Sequence, residues 1–400
     1  MFRHSLHRAF AHELLRPIAA LSIVALALAL LGVRSISDAQ PPDTRNGQFI
    51  FRFDTFGDEQ LWTDKLRLHE VISSSVSPAT ALKVGLKVDA TVLPSDFLAT
   101  HDLNDPATTV ELIKRNAVVG VVGKVAGNQL QSVGITCAIC HSTVDNSVTA
   151  GVGRRLDGWP NRDLNPGAII ALSPTLTPQQ RTVYSSWGPG RYDARFNVDG
   201  INGPVLIPPA FGLKGVGFET YTGDGPISYW NNSVAVTQMG GHGSFSDPRL
   251  GINITQKPDL VTPKLPALLQ YQLSLKTPPP PARSFDEAAA KRGEALFKGD
   301  AKCATCHVPP TFTDVLAGPD ASAPLLHDPA EVGTDPAYAL RTATKRYRTT
   351  PLRALWQHPP YFHDGRAADL LAVVNHYDAQ FFLKLTPKQK ADLVEFLKSI

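Results

Sequence analysis

"ITCAICHSTVDN" runs from residue 135 to 146, and "AKCATCHVPPTF" runs from 301 to 312. These two stretches hold all four cysteines of the 400-residue chain, each pair as Cys-x-x-Cys followed directly by His. On a helical turn, positions i, i+3 and i+4 share one face. Two thiols and one imidazole then meet the same object. A haem edge fits that demand: the thiols add to its two vinyl groups and the imidazole ligates the iron from one side. Cys137, Cys140 and His141 form one set; Cys303, Cys306 and His307 form the other. The expected cofactors are two covalently bound c-type haems, one per domain. A zinc site built from four thiolates would leave both histidines unexplained and would have to join pairs far apart in the chain. Thioredoxin-like redox chemistry needs no histidine after each pair.

Working outward, the N-terminus reads as a basic leader followed by the uncharged apolar run from Ile18 to Val33. That pattern is a secretory signal or a membrane anchor. Ser37-Asp38-Ala39 supplies a small-x-small cleavage site, so cleavage is preferred to retained attachment to a membrane. Either way the remainder is expected outside the cytosol, in the periplasm. Covalent attachment suits that compartment, where a loosely held cofactor would be lost by diffusion.

A net charge of +3, with no basic cluster interleaved with aromatics, argues against nucleic acid as a partner. The 33 prolines and 30 glycines predict long, turn-rich connections. The fold class expected is mainly α, with two tandem cytochrome c-like domains, the first enlarged by irregular loops. Residues 1–39 are the leader, 40–277 the N-terminal extension and first haem domain, 278–285 a Pro-rich linker and 286–400 the second domain. Within these, a helix is expected near 58–72, and "NAVVGVVGKV" (116–125) is expected as a strand or hairpin. "PKLPALLQYQLSLK" (263–276) has helical apolar spacing. Asp286 is placed to cap a helix with a stripe of Ala289, Arg292, Leu296 and Phe297. Thr386, Pro387 and Gln389 form a capping box before a final helix whose buried face is expected to be Val394, Leu397 and Ile400. Helices before the haem motif and at the chain's end can close a small haem domain by packing together.

The second axial position decides what an iron does: a soft or imidazole ligand gives an electron carrier, and an open side admits peroxide or oxygen. Apart from Met1 the only methionine is Met239, in the Gly-rich "AVTQMGGHGSF", and it is the candidate for the first iron, with His242 as the alternative. The second domain has no methionine. Its candidates are His376 and Tyr377 in "LLAVVNHYDAQ", with His358 and His363 nearby.

The stretch "YRTTPLRALWQHPPYFHDGRAADLLAVVNHYD" (347–378) resembles the C-terminal signature of bacterial dihaem cytochrome c peroxidases and their methylamine-dehydrogenase-maturing relatives. The matching residues are Thr350, Pro351, Leu352 and Arg353, spaced one residue short of the family pattern, then Pro360, Tyr361, His363, Asp364 and Gly365. The likeness spans about 285–400. Over 130–275 only the haem motif and "GPISYWNNSVA" carry it, and 40–130 matches nothing. The resemblance implies two tandem cytochrome c domains. The family's distal methionine position falls on Tyr377, and the methylamine relatives use a tyrosine there; His376 is its neighbour. His358 and Pro359 stand where the family's calcium site has a hydroxyl residue, which argues against calcium. Arg353 is a candidate to bind a haem propionate, since a guanidinium holds a carboxylate bidentately, with an exposed arginine in a polar loop as the alternative. Trp230 and Trp356 are candidates for packing on haem edges. No catalytic residue is assigned.

Two functions follow. One is electron transfer with a redox partner protein: a small cytochrome, a cupredoxin or a dehydrogenase. The other is reduction of hydrogen peroxide at the first haem with electrons relayed through the second, which requires a vacant iron position and a proton donor beside it.

Overall fold

The computed structural model describes residues 44–315 and 325–400. The leader expected over 1–39 lies outside the described residues. Among the described residues no helix is long and apolar enough to cross a membrane. Residues Asp43–Ile400 form one compact unit. It is mainly helical, and its strands are short and paired into six two-stranded ribbons among the described residues.

The first half closes with two helices. Thr44–Phe53 buries Gly47, Ile50 and Phe51, three residues at helical spacing. They meet Leu268 and Tyr271 of Leu265–Ser274, the helix expected within 263–276. Gly47 permits the crossing, because a Cβ there would overlap the Ala267 carbonyl oxygen. The "NAVVGVVGKV" segment begins a hairpin, with Val121–Ala126 paired antiparallel to Gln129–Ile135. That hairpin delivers the chain directly into the first Cys-x-x-Cys-His.

The single helix expected near 58–72 is broken. Gln60–Lys65 is a π-helical turn, Arg67 takes a left-handed φ of 54°, and Leu68–Ser75 is a separate helix. Tertiary contacts cause the break. Asp58 is fully buried and accepts the Ile135 N–H from the hairpin, while Thr63 exchanges hydrogen bonds with the backbone of Val133.

The second half closes as expected in outline. Asp286 accepts from the Ala289 N–H to cap Glu287–Lys298, and Thr386 with Gln389 makes the capping box of Pro387–Ser399. The packed faces differ from those expected. The first helix buries Ala289, Ala290, Gly293 and Phe297, leaving Arg292 half exposed to pair with Asp392 at 2.6 Å. The last helix buries Leu393, Phe396 and Leu397, with Val394 and Ile400 at the margin. Gly293 sits at the crossing, where a Cβ would overlap the Asp392 carbonyl oxygen.

The proline run 278–281 carries no helix or strand, yet it does not mark a gap in packing. Segments on its two sides interlock: the Leu206 N–H donates to the His363 carbonyl, and Arg341 reaches Asp193 and Asp199. A small apolar cluster of Val205, Tyr338, Ala339 and Tyr347 seals that contact.

Candidate functional site

Each Cys-x-x-Cys-His is a single tight turn. In the first, the His141 N–H donates to the Cys137 carbonyl. In the second, Lys302 takes a φ of 53°, and the Cys306 and His307 N–H groups both donate to the Cys303 carbonyl. The first forms the short helix Ala138–His141 and the second a 3-10 turn, Cys303–Thr305. In the second, the two thiols and the imidazole line one cavity.

The histidines share a second feature. His141 Nδ1 lies 3.1 Å from the Pro208 carbonyl, and His307 Nδ1 lies 3.0 Å from the Phe312 carbonyl. A carbonyl only accepts, so each Nδ1 carries the hydrogen and each Nε2 keeps its lone pair. Burial pushes His141 down to about 4 and lowers His307 as well. Both rings are therefore neutral near pH 7, in the tautomer that ligates a metal through Nε2.

The cysteines are free. Burial pushes Cys137 and Cys140 up to about 12 and Cys303 up to about 11. Thiols held so far from ionisation are poor disulfide-exchange nucleophiles, contrary to a thioredoxin-like role. Among the described residues, the one cluster of metal-ligating side chains is Cys306, Asp314 and His327, which has a single thiol and is not a four-thiolate zinc site.

Cys303, Cys306 and His307 line a cavity of about 530 Å³, within the range of cofactor sites. Apolar walls come from Leu370, Val373 and Val374 of the helix Leu370–Gln380 and from Leu393 and Leu397 of the last helix. Of the two neighbours proposed as distal ligand, Tyr377 faces this cavity; His376 is not among its lining residues and holds the Val332 carbonyl through Nε2 at 2.9 Å. The Tyr377 hydroxyl makes no hydrogen bond among the described residues, and burial pushes it up to about 12. His358 and His363 also line the cavity, but each has one ring nitrogen engaged, by the Arg353 carbonyl at 3.3 Å and by the Tyr347 hydroxyl at 3.2 Å.

Arg353 lines the same cavity and donates to the Phe211 carbonyl at 3.3 Å. Burial lowers it to about 10. Two polar groups that the sequence reading passed over join it. Arg162 lines the cavity, with its buried Nε and Nη1 unpartnered among the described residues. His327 stands beside Asp314 at 3.4 Å and is pushed up to about 11 by its hydrogen bonds to Asp314 and Cys306. Nothing local distinguishes either residue from the other arginines and histidines in the sequence.

The cavity does not reach the first motif, whose thiols pack into two apolar clusters. Met239 is buried in the same cluster as Cys137 and Ala138, and its carbonyl accepts the Trp62 indole N–H at 2.9 Å. His242 is turned to the Pro258 carbonyl. Trp356 meets Trp159 edge to face with ring centroids 5.7 Å apart, while Trp230 is buried against the Glu219 carbonyl. The Gly158 N–H, next to Trp159, donates to the His141 carbonyl.

The second motif therefore fits a haem by donor chemistry, by size and by its apolar walls. Cys303 and Cys306 would attach it, His307 would ligate it, and Arg353 would meet a propionate.

Comparison with known proteins agrees with this reading. Residues 290–400 match the cytochrome c family. Methylamine utilization protein MauG of Methylorubrum extorquens is 34% identical over 131 residues, a match spanning 28% of this chain and 35% of that protein. The chain thus matches about a third of that relative's length. Two solved structures show low overall similarity. Xenon-pressurised hydrazine synthase of Kuenenia stuttgartiensis has a TM-score of 0.35 at 20% identity, covering 50% of this chain and 73% of that one. A MauG-like protein associated with microbial copper homeostasis has a TM-score of 0.36 at 18% identity, covering 50% and 74%. Residues 290–400 are thus similar to cytochrome c, and a 131-residue stretch of the chain is similar to MauG.

Proposed function

We propose that this chain is an exported dihaem c-type cytochrome that carries electrons between a periplasmic redox partner and its two haems. The observation that carries the reading is the pairing, in one cavity, of a tautomer-fixed His307 with a Tyr377 whose hydroxyl has no hydrogen-bond partner among the described residues. Such a site would offer protein groups to both faces of an iron and leave no open position for a substrate, which favours a carrier, although a tyrosine oxygen, unlike a thioether or imidazole, would favour the higher oxidation states of the iron. Bound haem would supply a one-electron iron couple. The chain's own residues would hold and insulate it. Cys303 and Cys306 anchor it, Phe312 fixes the His307 ring, Tyr377 offers its oxygen, and the apolar walls exclude water. His141 is prepared in the same way by Pro208, which supports a second haem at the first motif. Met239, in the same apolar cluster as Cys137, is its proposed distal ligand. The partner is a small cytochrome, a cupredoxin or a dehydrogenase. Export rests on the apolar run Ile18–Val33 behind its basic leader.

Absorption and paramagnetic resonance spectra of both oxidation states, with and without hydrogen peroxide, test the proposal. Two low-spin, six-coordinate haems indifferent to peroxide are expected. A high-spin haem that reacts with peroxide would overturn it in favour of a peroxidase.

A further inference from the structure

The buried part of the cavity holds charge that the described residues do not balance. Setting aside the exposed rim residues Lys302 and Glu331, three arginines line it (Arg162, Arg348 and Arg353) against one carboxylate, Glu219. Glu219 is committed to Arg348 at 3.1 Å, both side chains being buried. Arg353 donates to a backbone carbonyl, and Arg162 hydrogen-bonds Tyr221 while its buried Nε and Nη1 have no partner among the described residues. Among the described residues, two guanidinium charges are left without a carboxylate. Burying such charges is costly unless something anionic meets them. A haem brings two carboxylates, and a guanidinium fork binds a carboxylate in bidentate geometry.

The position of Arg162 in the chain is the unexpected part. It lies far from the cytochrome c region at 290–400, in the segment that follows the first motif. That segment is fastened to the first motif's turn: the Asn161 N–H donates to the Cys140 carbonyl at 2.9 Å, and the Asn161 amide holds Gly85 and Ile139. We infer that Arg162 binds one carboxylate of the haem held by Cys303, Cys306 and His307, while Arg353 binds the other. The second haem site is then completed by the first half of the chain. This rests on the proposed haem occupancy of the cavity.

The test uses the full-length haem-loaded protein and its R162Q variant, with R346Q, an exposed arginine, as control. Haem content is measured by intact mass, and the reduction potential of the second haem by spectroelectrochemistry. That haem is identified as the one lost in C303A/C306A. Removing a positive charge beside a haem favours its oxidised form. R162Q is expected to lower the reduction equilibrium constant about tenfold, about 59 mV for a one-electron couple, while R346Q leaves it unchanged. An R162Q protein with full haem content and the parent potential overturns the inference. Should R162Q not accumulate, R162K is read instead: it keeps the charge but not the fork, so a smaller fall is expected, and no fall overturns the inference. A chain whose haem content is unaffected by C303A/C306A fails the occupancy reading itself, independently of Arg162.

Discussion

A tyrosine hydroxyl that faces a cavity without a hydrogen-bond partner is an unfinished interaction, and among the described residues Tyr377 is such a group, whereas its neighbour His376 is already satisfied by Val332. If the oxygen completes an iron's coordination, Y377F should change the ferric absorption and resonance spectra of the second haem, and H376A should leave them intact. The reverse pattern would assign the ligand to His376. His358 gives a pH prediction. Burial, and then the Arg162 charge, push it down to about 4 from an ordinary 6.5. Between those values the unfolded chain binds a proton that the native state refuses, so stability is present above 6.5 and is lost as pH falls toward 4. Denaturant titrations across this window should show the parent losing up to about 3 kcal/mol more than H358Q; equal losses would show that His358 does not carry the effect. At this scale the sequence was readable where residue types are bound to a spacing. Two thiols and an imidazole at i, i+3 and i+4 have few other uses. Arg162 was not readable, because its role comes from a fold that places residue 162 beside residue 353.

Helix ends proved more legible than helix faces. The Thr386–Gln389 capping box and the Asp286 cap involve residues three apart, so their hydrogen bonds are local and visible in the sequence. The buried face of the last helix came out shifted onto Leu393 and Phe396, because the partner helix and the cavity, not the helix itself, choose the face. The break at Arg67 was hidden for the same reason, since it answers to a hairpin more than fifty residues away. A shared device did emerge from the structure: each half closes on a helix crossing made possible by a glycine, Gly47 over Ala267 and Gly293 over Asp392. Alanine is the better helix former by roughly 1 kcal/mol. At these crossings the added methyl meets backbone, so overpacking of about 1–3 kcal/mol should win. G293A and G47A should each lower the urea midpoint of the haem-loaded protein. A raised midpoint in either would mean that the helices part without cost.

Across the whole molecule, the sequence announced two haem motifs and a proline boundary, and the structure joins what that boundary seemed to divide. The cytochrome c match covers only 290–400, yet the cavity that region lines is also walled by Arg162, Pro208 and Tyr221. No local pattern predicts such interlocking, because it depends on loops from 190–225 meeting loops from 326–366. The strongest tie is Arg341. Its guanidinium, 7% exposed, bonds Asp193 and Asp199 at 2.9–3.1 Å and also the carbonyls of Ile201 and Gly203. Asp193 is fully buried and is held as well by the N–H groups of Arg195 and Gly203. Removing one partner of a buried ion pair strands the other charge, at a cost of about 3–5 kcal/mol. R341A should therefore destabilise both halves together. With the haem bands followed separately during thermal unfolding, the parent should melt in one transition, and R341A in one transition at lower temperature. Two separate transitions in the parent would mean that the halves fold independently and that the packing across the proline run contributes little to stability.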